Sequence, residues 1–98
     1  MSKIEIIWSD QAQNQVEKIY NYYQPKSERG ALNVVNAILE SPESITYPEQ
    51  YQIDEINKSY RRIIVRGTYK VLYQVDGKII RIVAVVGTGQ LPQNVEDY

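Results

Sequence analysis

The chain contains no cysteine and no histidine among its 98 residues. Their absence excludes disulfides, zinc sites built on these residues, cysteine nucleophiles and the usual histidine general base. Its acidic residues do not follow metal-ligand spacing, so we expect no metal and no cofactor. The sequence has no apolar run of membrane-spanning length and no apolar signal peptide near its first residue. These absences predict a cytoplasmic protein without membrane contact.

Composition predicts one folded domain over residues 1–98, because a chain of this length supports a single core. The net charge of −1 conceals an uneven distribution. Residues 1–57 carry four basic and nine acidic side chains, whereas residues 58–81 carry seven basic side chains and one acidic side chain. The second segment therefore indicates a local basic surface that suits a negatively charged partner.

Hydrophobic periodicity predicts the element order β-α-α-β-β-β and the α+β class. Ser9 and Ser27 are good N-caps, and two prolines, Pro25 and Pro42, limit the helices that follow them. Residues 41–58 have no sustained period and are predicted to form a loop. The predicted strands cover about 3–8, 59–66, 68–75 and 78–87, and the predicted helices cover about 10–23 and the segment from Ser27 to Pro42.

The Asp76-Gly77 pair is the strongest turn signal and sets the register of the last two strands. With Val75 and Lys78 flanking a two-residue loop, one face of the sheet is apolar and meets the helices. Three opposite pairs are predicted on this inner face: Tyr73 with Ile80, Val71 with Ile82, and Tyr69 with Ala84.

The opposite face of the sheet, called the outer face below, combines apolar and basic residues. Its predicted members are Lys70, Leu72, Gln74, Ile79, Arg81, Val83 and Val85. The sequence does not fix the register of the preceding strand. In one register Arg62 and Arg66 share the face of Lys70, and in the other Arg61 does. Such a surface suits a partner segment that is both hydrophobic and acidic, or else phosphate groups. A third alternative is that the 41–58 loop or the C-terminal segment covers it.

Two segments resemble the RelE/ParE superfamily, the toxins of type II toxin–antitoxin and plasmid-stabilisation systems. They are "IIWSDQAQNQVEKIYNYY" and "YRRIIVRGTYKVLYQVDGKIIRIVAVVGTGQLP". The family pattern of an arginine, a glycine, a tyrosine-rich strand and an apolar last strand is matched by Arg62, Gly67, Tyr69, Lys70, Tyr73 and residues 80–86. The resemblance implies a small, twisted, mostly antiparallel sheet packed on an α-hairpin. It also implies a cognate antitoxin that wraps the toxin with an extended segment.

The resemblance implies two activities, since RelE-like members cleave mRNA in the ribosome and ParE-like members bind and inhibit DNA gyrase. A ribonuclease would use Arg61, Lys70 and Arg81 around the scissile phosphate. However, the family's arginine after the last strand falls at Gly89, and its tyrosine falls near Val95, with only Tyr98 beyond. We therefore expect a ParE-like toxin, with an mRNA interferase or a non-toxic antitoxin binder as alternatives. The expected antitoxin- or target-binding residues are Arg61, Arg62, Arg66, Lys70, Leu72, Arg81 and Val83.

Overall fold

The computed structural model describes residues 3–88. The elements are β1 (Glu5–Trp8), α1 (Asp10–Tyr23), α2 (Glu28–Glu40), a one-turn 3-10 helix (Ser41–Ser44), β2 (Arg61–Val65), β3 (Tyr69–Asp76) and β4 (Ile79–Gly87). The four strands form one sheet in the order β1-β4-β3-β2, in which β1 is parallel to β4 and the other neighbours are antiparallel. The predicted element order and α+β class are confirmed.

The two helices begin at the predicted caps. The Ser9 hydroxyl accepts the Ala12 N–H at 3.0 Å, and the Ser27 hydroxyl accepts the Gly30 N–H at 3.0 Å. Both helices bury their apolar sides against the inner face of the sheet, where the main core lies. Neither helix within residues 3–88 has the length and apolar character needed to cross a bilayer.

The register of the β3–β4 hairpin differs from the prediction. The turn pairs Asp76 with Ile79, and Tyr73 lies opposite Ile82 instead of Ile80. A β-bulge at Val83 then shifts the register again, because one extra residue of β4 reverses the facing of those that follow. The predicted inward position of Ala84 is wrong, since Ala84 joins the outer-face cluster. The predicted outward position of Val85 is wrong too, since Val85 lies in the main core.

Side chains of α1 and its cap explain why the bulge forms there. Within residues 3–88, β1 pairs with β4 only as far as Trp8 and Ile82. The backbone N–H and C=O groups of β4 beyond this pair therefore need other hydrogen-bond partners. The Ser9 hydroxyl donates to the Val83 carbonyl at 3.1 Å. The Gln15 side-chain oxygen accepts the Val85 N–H at 2.6 Å. These two bonds satisfy the bulged backbone without a further strand.

Residues 45–60, called the strap below, connect the 3-10 helix to β2 and fold back over the sheet. The strap first runs along the free edge of β2, the last strand of the sheet. There the Arg62 N–H donates to the Gln52 carbonyl at 2.9 Å, and the Asp54 N–H donates to the Tyr60 carbonyl at 2.8 Å. Tyr60 then packs on a second, smaller core on the outer face, formed by Leu72, Ala84 and Val86. Asp54, which lies within the 41–58 loop, reaches Lys70 of the outer face at 2.7 Å, so the alternative in which this loop covers the face is correct for part of it.

Candidate functional site

The outer face is divided into a covered half and an exposed half. The covered half lies towards the turn between β2 and β3, beneath the strap. The exposed half lies towards the turn between β3 and β4, where Arg81 has Ile7 on one side and Gln74 on the other. The predicted site residues are therefore separated into two groups with different surroundings.

Lys70 and Leu72 lie in the covered half. Lys70 is 5% exposed and Leu72 is fully buried, so the expectation that both line an open surface is wrong. The Lys70 ammonium donates to Asp54 Oδ1 at 2.7 Å, and Asp54 is itself 1% exposed. A buried charge needs such a partner, because unpaired burial costs several kcal/mol, on the order of the whole Coulombic gain. Lys70 thus holds the strap down instead of meeting solvent.

Asp54 is held in place by more than Lys70. Its Oδ2 atom accepts the backbone N–H groups of Ile56 and Asn57 at 3.1 Å and 2.8 Å. Burial by itself raises the pKa of the Asp54 carboxyl, but the Lys70 ammonium and the two N–H donors lower it by more. The net result is a pKa below its ordinary value of 3.8, which keeps the carboxyl ionised at neutral pH.

The strap also accepts hydrogen bonds from two of the arginines that were predicted to bind a partner. The Arg61 guanidinium donates to the Tyr51 carbonyl at 2.7 Å, and the Arg62 guanidinium donates to the Ile53 carbonyl at 3.0 Å and to the Gln52 side chain at 3.1 Å. The structure decides between the two registers left open for β2. Arg62 lies opposite Leu72 on the outer face, and Arg61 lies opposite Tyr73 on the inner face. Arg66 is exposed in the turn after β2, with a φ of 56°.

Arg81 is the predicted cation that the structure leaves accessible on the exposed half. Its side chain is 46% exposed, and its contact with the exposed Asp76 carboxylate is long, at 3.6 Å. Ile7 beside it is 37% exposed, and Val83 is half-buried at the border with the covered half. Sequence reasoning missed Ile7 and did not single out Gln74. Ile7 would have required knowing that β1 runs parallel to β4.

The three residues named for a ribonuclease are not brought together. Lys70 is sealed beneath the strap, Arg61 faces the inner side of the sheet, and Arg81 stands in the exposed half. Within residues 3–88 there is no group of three or more acidic side chains that would hold a metal ion. Gly89, Val95 and Tyr98 lie outside the described residues. The exposed half of the outer face is suited to binding, because Arg81 stands there beside Ile7 and Gln74 with only a long, exposed contact to Asp76.

Comparison with known families matches residues 6–92 to the ParE toxins of type II toxin–antitoxin systems. The chain therefore belongs to the ParE toxin family. It is the toxin of a type II toxin–antitoxin system, and a cognate antitoxin is its partner.

Solved structures with a similar fold include three proteins. A chain of the chromosomal ParDE system from P. aeruginosa is 21% identical, with a TM-score of 0.72 over 84% of this chain and 92% of that chain. A conserved hypothetical protein from Helicobacter pylori is 13% identical, with a TM-score of 0.57 over 90% and 98%. YafQ from E. coli is 17% identical, with a TM-score of 0.56 over 91% and 98%. Comparison with curated protein sequences gives no match.

Proposed function

We propose that this toxin acts in the cytoplasm by binding a target, DNA gyrase, through the exposed half of the outer face, and that the antitoxin neutralises it by occupying the same surface. The observation that carries the proposal is the contrast between two cations of one face. Lys70 is buried against Asp54, whereas Arg81 is accessible beside Ile7 and Gln74.

The chemistry of the exposed half suits a protein partner. Arg81 offers a planar guanidinium that takes a carboxylate in a bidentate geometry, and Ile7 and Val83 offer apolar contact next to it. Arginine flanked by apolar side chains is typical of the residues that contribute most to protein interfaces. An acidic and apolar segment of a partner would satisfy all three groups.

The same contrast disfavours an mRNA interferase. A scissile phosphate would have to displace the Asp54 carboxylate from Lys70, and it would have to draw Arg61 away from the Tyr51 carbonyl. These displacements would leave the buried Asp54 carboxylate without its counterion and the Tyr51 carbonyl without its donor, which makes assembly of a cationic transition-state site unfavourable. We therefore assign Arg61, Arg62, Lys70 and Leu72 to fixing the strap, and Arg81 and Val83 to partner contact at the exposed half. Arg66, exposed in the turn between β2 and β3, would contact a partner only at the opposite end of the sheet.

The experiment compares Arg81→Ala with Lys26→Ala, an exposed cation on the helical hairpin. We expect Arg81→Ala to weaken binding of the antitoxin encoded beside this gene by about tenfold, which is the usual range for a partly desolvated charge, and Lys26→Ala to change it by less than about twofold. Expression of the wild type should arrest growth, and the purified protein should inhibit gyrase supercoiling. Codon-spaced cuts in mRNA from arrested cells would contradict the gyrase proposal, and the absence of growth arrest would contradict a toxic activity altogether.

A further inference from the structure

The two edges of the sheet differ in how the chain covers them. The strand order makes β1 and β2 the edge strands. The edge of β2 is covered by the strap, whose Gln52 carbonyl accepts the Arg62 N–H at 2.9 Å. Within residues 3–88, no strand pairs with the side of β1 that faces away from β4. An uncovered edge is a template for a further strand, and proteins usually protect it.

The hydrogen bonds between β1 and β4 identify the backbone groups on this uncovered edge. The N–H groups of Glu5 and Ser9 donate to β4 carbonyls, each at 2.9 Å. Because the backbone groups of successive strand residues point in opposite directions, those of Ile6 and Trp8 point away from β4. The Trp8 carbonyl already accepts the Gln13 side-chain amide at 3.1 Å. The edge therefore offers the Ile6 N–H, the Ile6 carbonyl and the Trp8 N–H to a partner.

Apolar surface flanks this edge on both sides of the sheet. On the helical side, next to the end of β1, lies a shallow groove of about 550 Å³ that is lined by Trp8, Gln13, Val16 and Leu39. On the outer face, Ile7 is 37% exposed and lies beside Arg81. A strand added to the edge would direct alternate side chains to these two surfaces. An aliphatic side chain suits the groove, and a carboxylate suits the side of Arg81.

We propose that the cognate antitoxin adds an extended segment to this edge as a fifth strand beside β1, with aliphatic and acidic side chains in alternation. The unpaired backbone groups select an extended conformation, because they pair with a strand in register. Neighbouring strands lie about 4.8 Å apart, so the added strand lies about 10 Å from β4, a distance that an acidic side chain and Arg81 span together above Ile7. In this last contact the inference rests on the proposed function, whereas the backbone pairing and the groove do not depend on it.

Amide hydrogen exchange, measured residue by residue, tests the added strand directly. In the free toxin we expect the N–H groups of Ile6 and Trp8 to exchange at least about tenfold faster than that of Ile7, which faces β4. Saturation with the antitoxin encoded beside this gene should slow Ile6 and Trp8 by at least about tenfold, because only direct cover slows an exposed amide. Unchanged exchange at both amides in the saturated complex would overturn the proposal. Slow exchange at both in the free toxin would also overturn it, since the chain itself, or a second copy if the slowing grows with concentration, would then cover the edge.

Two leucines of α2 provide a matched pair of variants for the groove. Leu39 lines the groove and is 42% exposed, whereas Leu32 lies outside it and is 43% exposed. Leu39→Glu should weaken antitoxin binding by about tenfold, and Leu32→Glu should change it by less than about twofold. Equal effects of the two variants would overturn the placement of the strand beside the groove.

Arg81→Ala separates this inference from the proposed function. If Arg81→Ala leaves antitoxin binding unchanged while the Ile6 and Trp8 amides become protected in the complex, the strand addition is supported and the exposed half is not the antitoxin surface. If Arg81→Ala weakens binding while both amides stay unprotected, the proposed surface is supported and the strand addition is overturned.

Discussion

The buried Lys70–Asp54 pair gives the sharpest prediction about how the strap is held. Replacing Asp54 with Asn removes its charge and leaves the Lys70 ammonium enclosed without a counterion. Removing one member of a buried pair costs about 3–5 kcal/mol, and Asn retains an oxygen that accepts part of the hydrogen bonding, so we expect a loss of about 2–3 kcal/mol. A domain of this size has a free energy of unfolding of about 5–15 kcal/mol, so the loss is large.

The double variant distinguishes a specific pair from general damage. Lys70→Met keeps the apolar stem but leaves the Asp54 carboxylate buried, and we expect it to cost about 3 kcal/mol. Asp54→Asn combined with Lys70→Met buries no charge, so its loss should be smaller than the sum of the single losses by about 2 kcal/mol. Asp76→Asn is the matched control, because its 3.6 Å contact with Arg81 is exposed and should be worth less than about 0.5 kcal/mol.

Urea unfolding measures these differences, and its pH dependence supplies a second readout. The folded pKa of Asp54 lies below 3.8, so its contribution is present above that value and is lost as the pH falls through the folded pKa. The stability difference between the wild type and Asp54→Asn should therefore be constant near neutral pH and shrink below about pH 4. A buried, coupled pair would be refuted if each single variant lost less than about 1 kcal/mol of unfolding free energy and the double variant lost only the sum of the two.

Two further predictions concern the backbone of the hairpins. Arg66 adopts a φ of 56°, which is strained for a residue with a side chain. Arg66→Gly should therefore raise the free energy of unfolding, measured with urea, by about 0.5–1 kcal/mol. An unchanged free energy of unfolding would mean that the turn carries no such strain. Gln15→Ala removes the acceptor of the Val85 N–H, so it should cost about 1–2 kcal/mol and speed hydrogen exchange at Val85, whereas Asn14→Ala, its exposed neighbour, should do neither.

The helices and the order of the elements along the chain followed from local signals in the sequence, whereas the position of β1 beside β4 did not. Ser9 and Ser27 cap the helices where the sequence predicts, and α1 covers the predicted residues, because capping and periodicity act over a few residues. The bulge at Val83 did not follow, since it depends on Ser9 and Gln15, which lie about seventy residues earlier in the chain. A turn signal fixes the register only near the turn, so the faces of Ala84 and Val85 were predicted wrongly.

The candidate site was harder to predict for the same reason. Lys70 and Leu72 were placed on the correct face, but their burial depends on Asp54 and Tyr60 of a strap that shows no periodicity. An acidic loop followed by a basic segment favours pairing of charges between the two. It did not identify Asp54 among the acidic residues of that loop, because long-range pairing is set by the fold.

The strap changes what the basic segment means for the partner. Of its seven cations, Arg61, Arg62 and Lys70 are engaged by strap carbonyls or by Asp54, so local charge overstates what a partner meets. Lys58, Arg66 and Lys78 stay exposed in the strap and the turns, and Arg81 is the exposed cation within the strands of the outer face. An arginine between Ile7 and Gln74 can discriminate a single carboxylate by geometry. Because the strap removes charge from the outer face while leaving apolar contact at its exposed half, specificity for a folded or extended protein segment is the property that this arrangement favours.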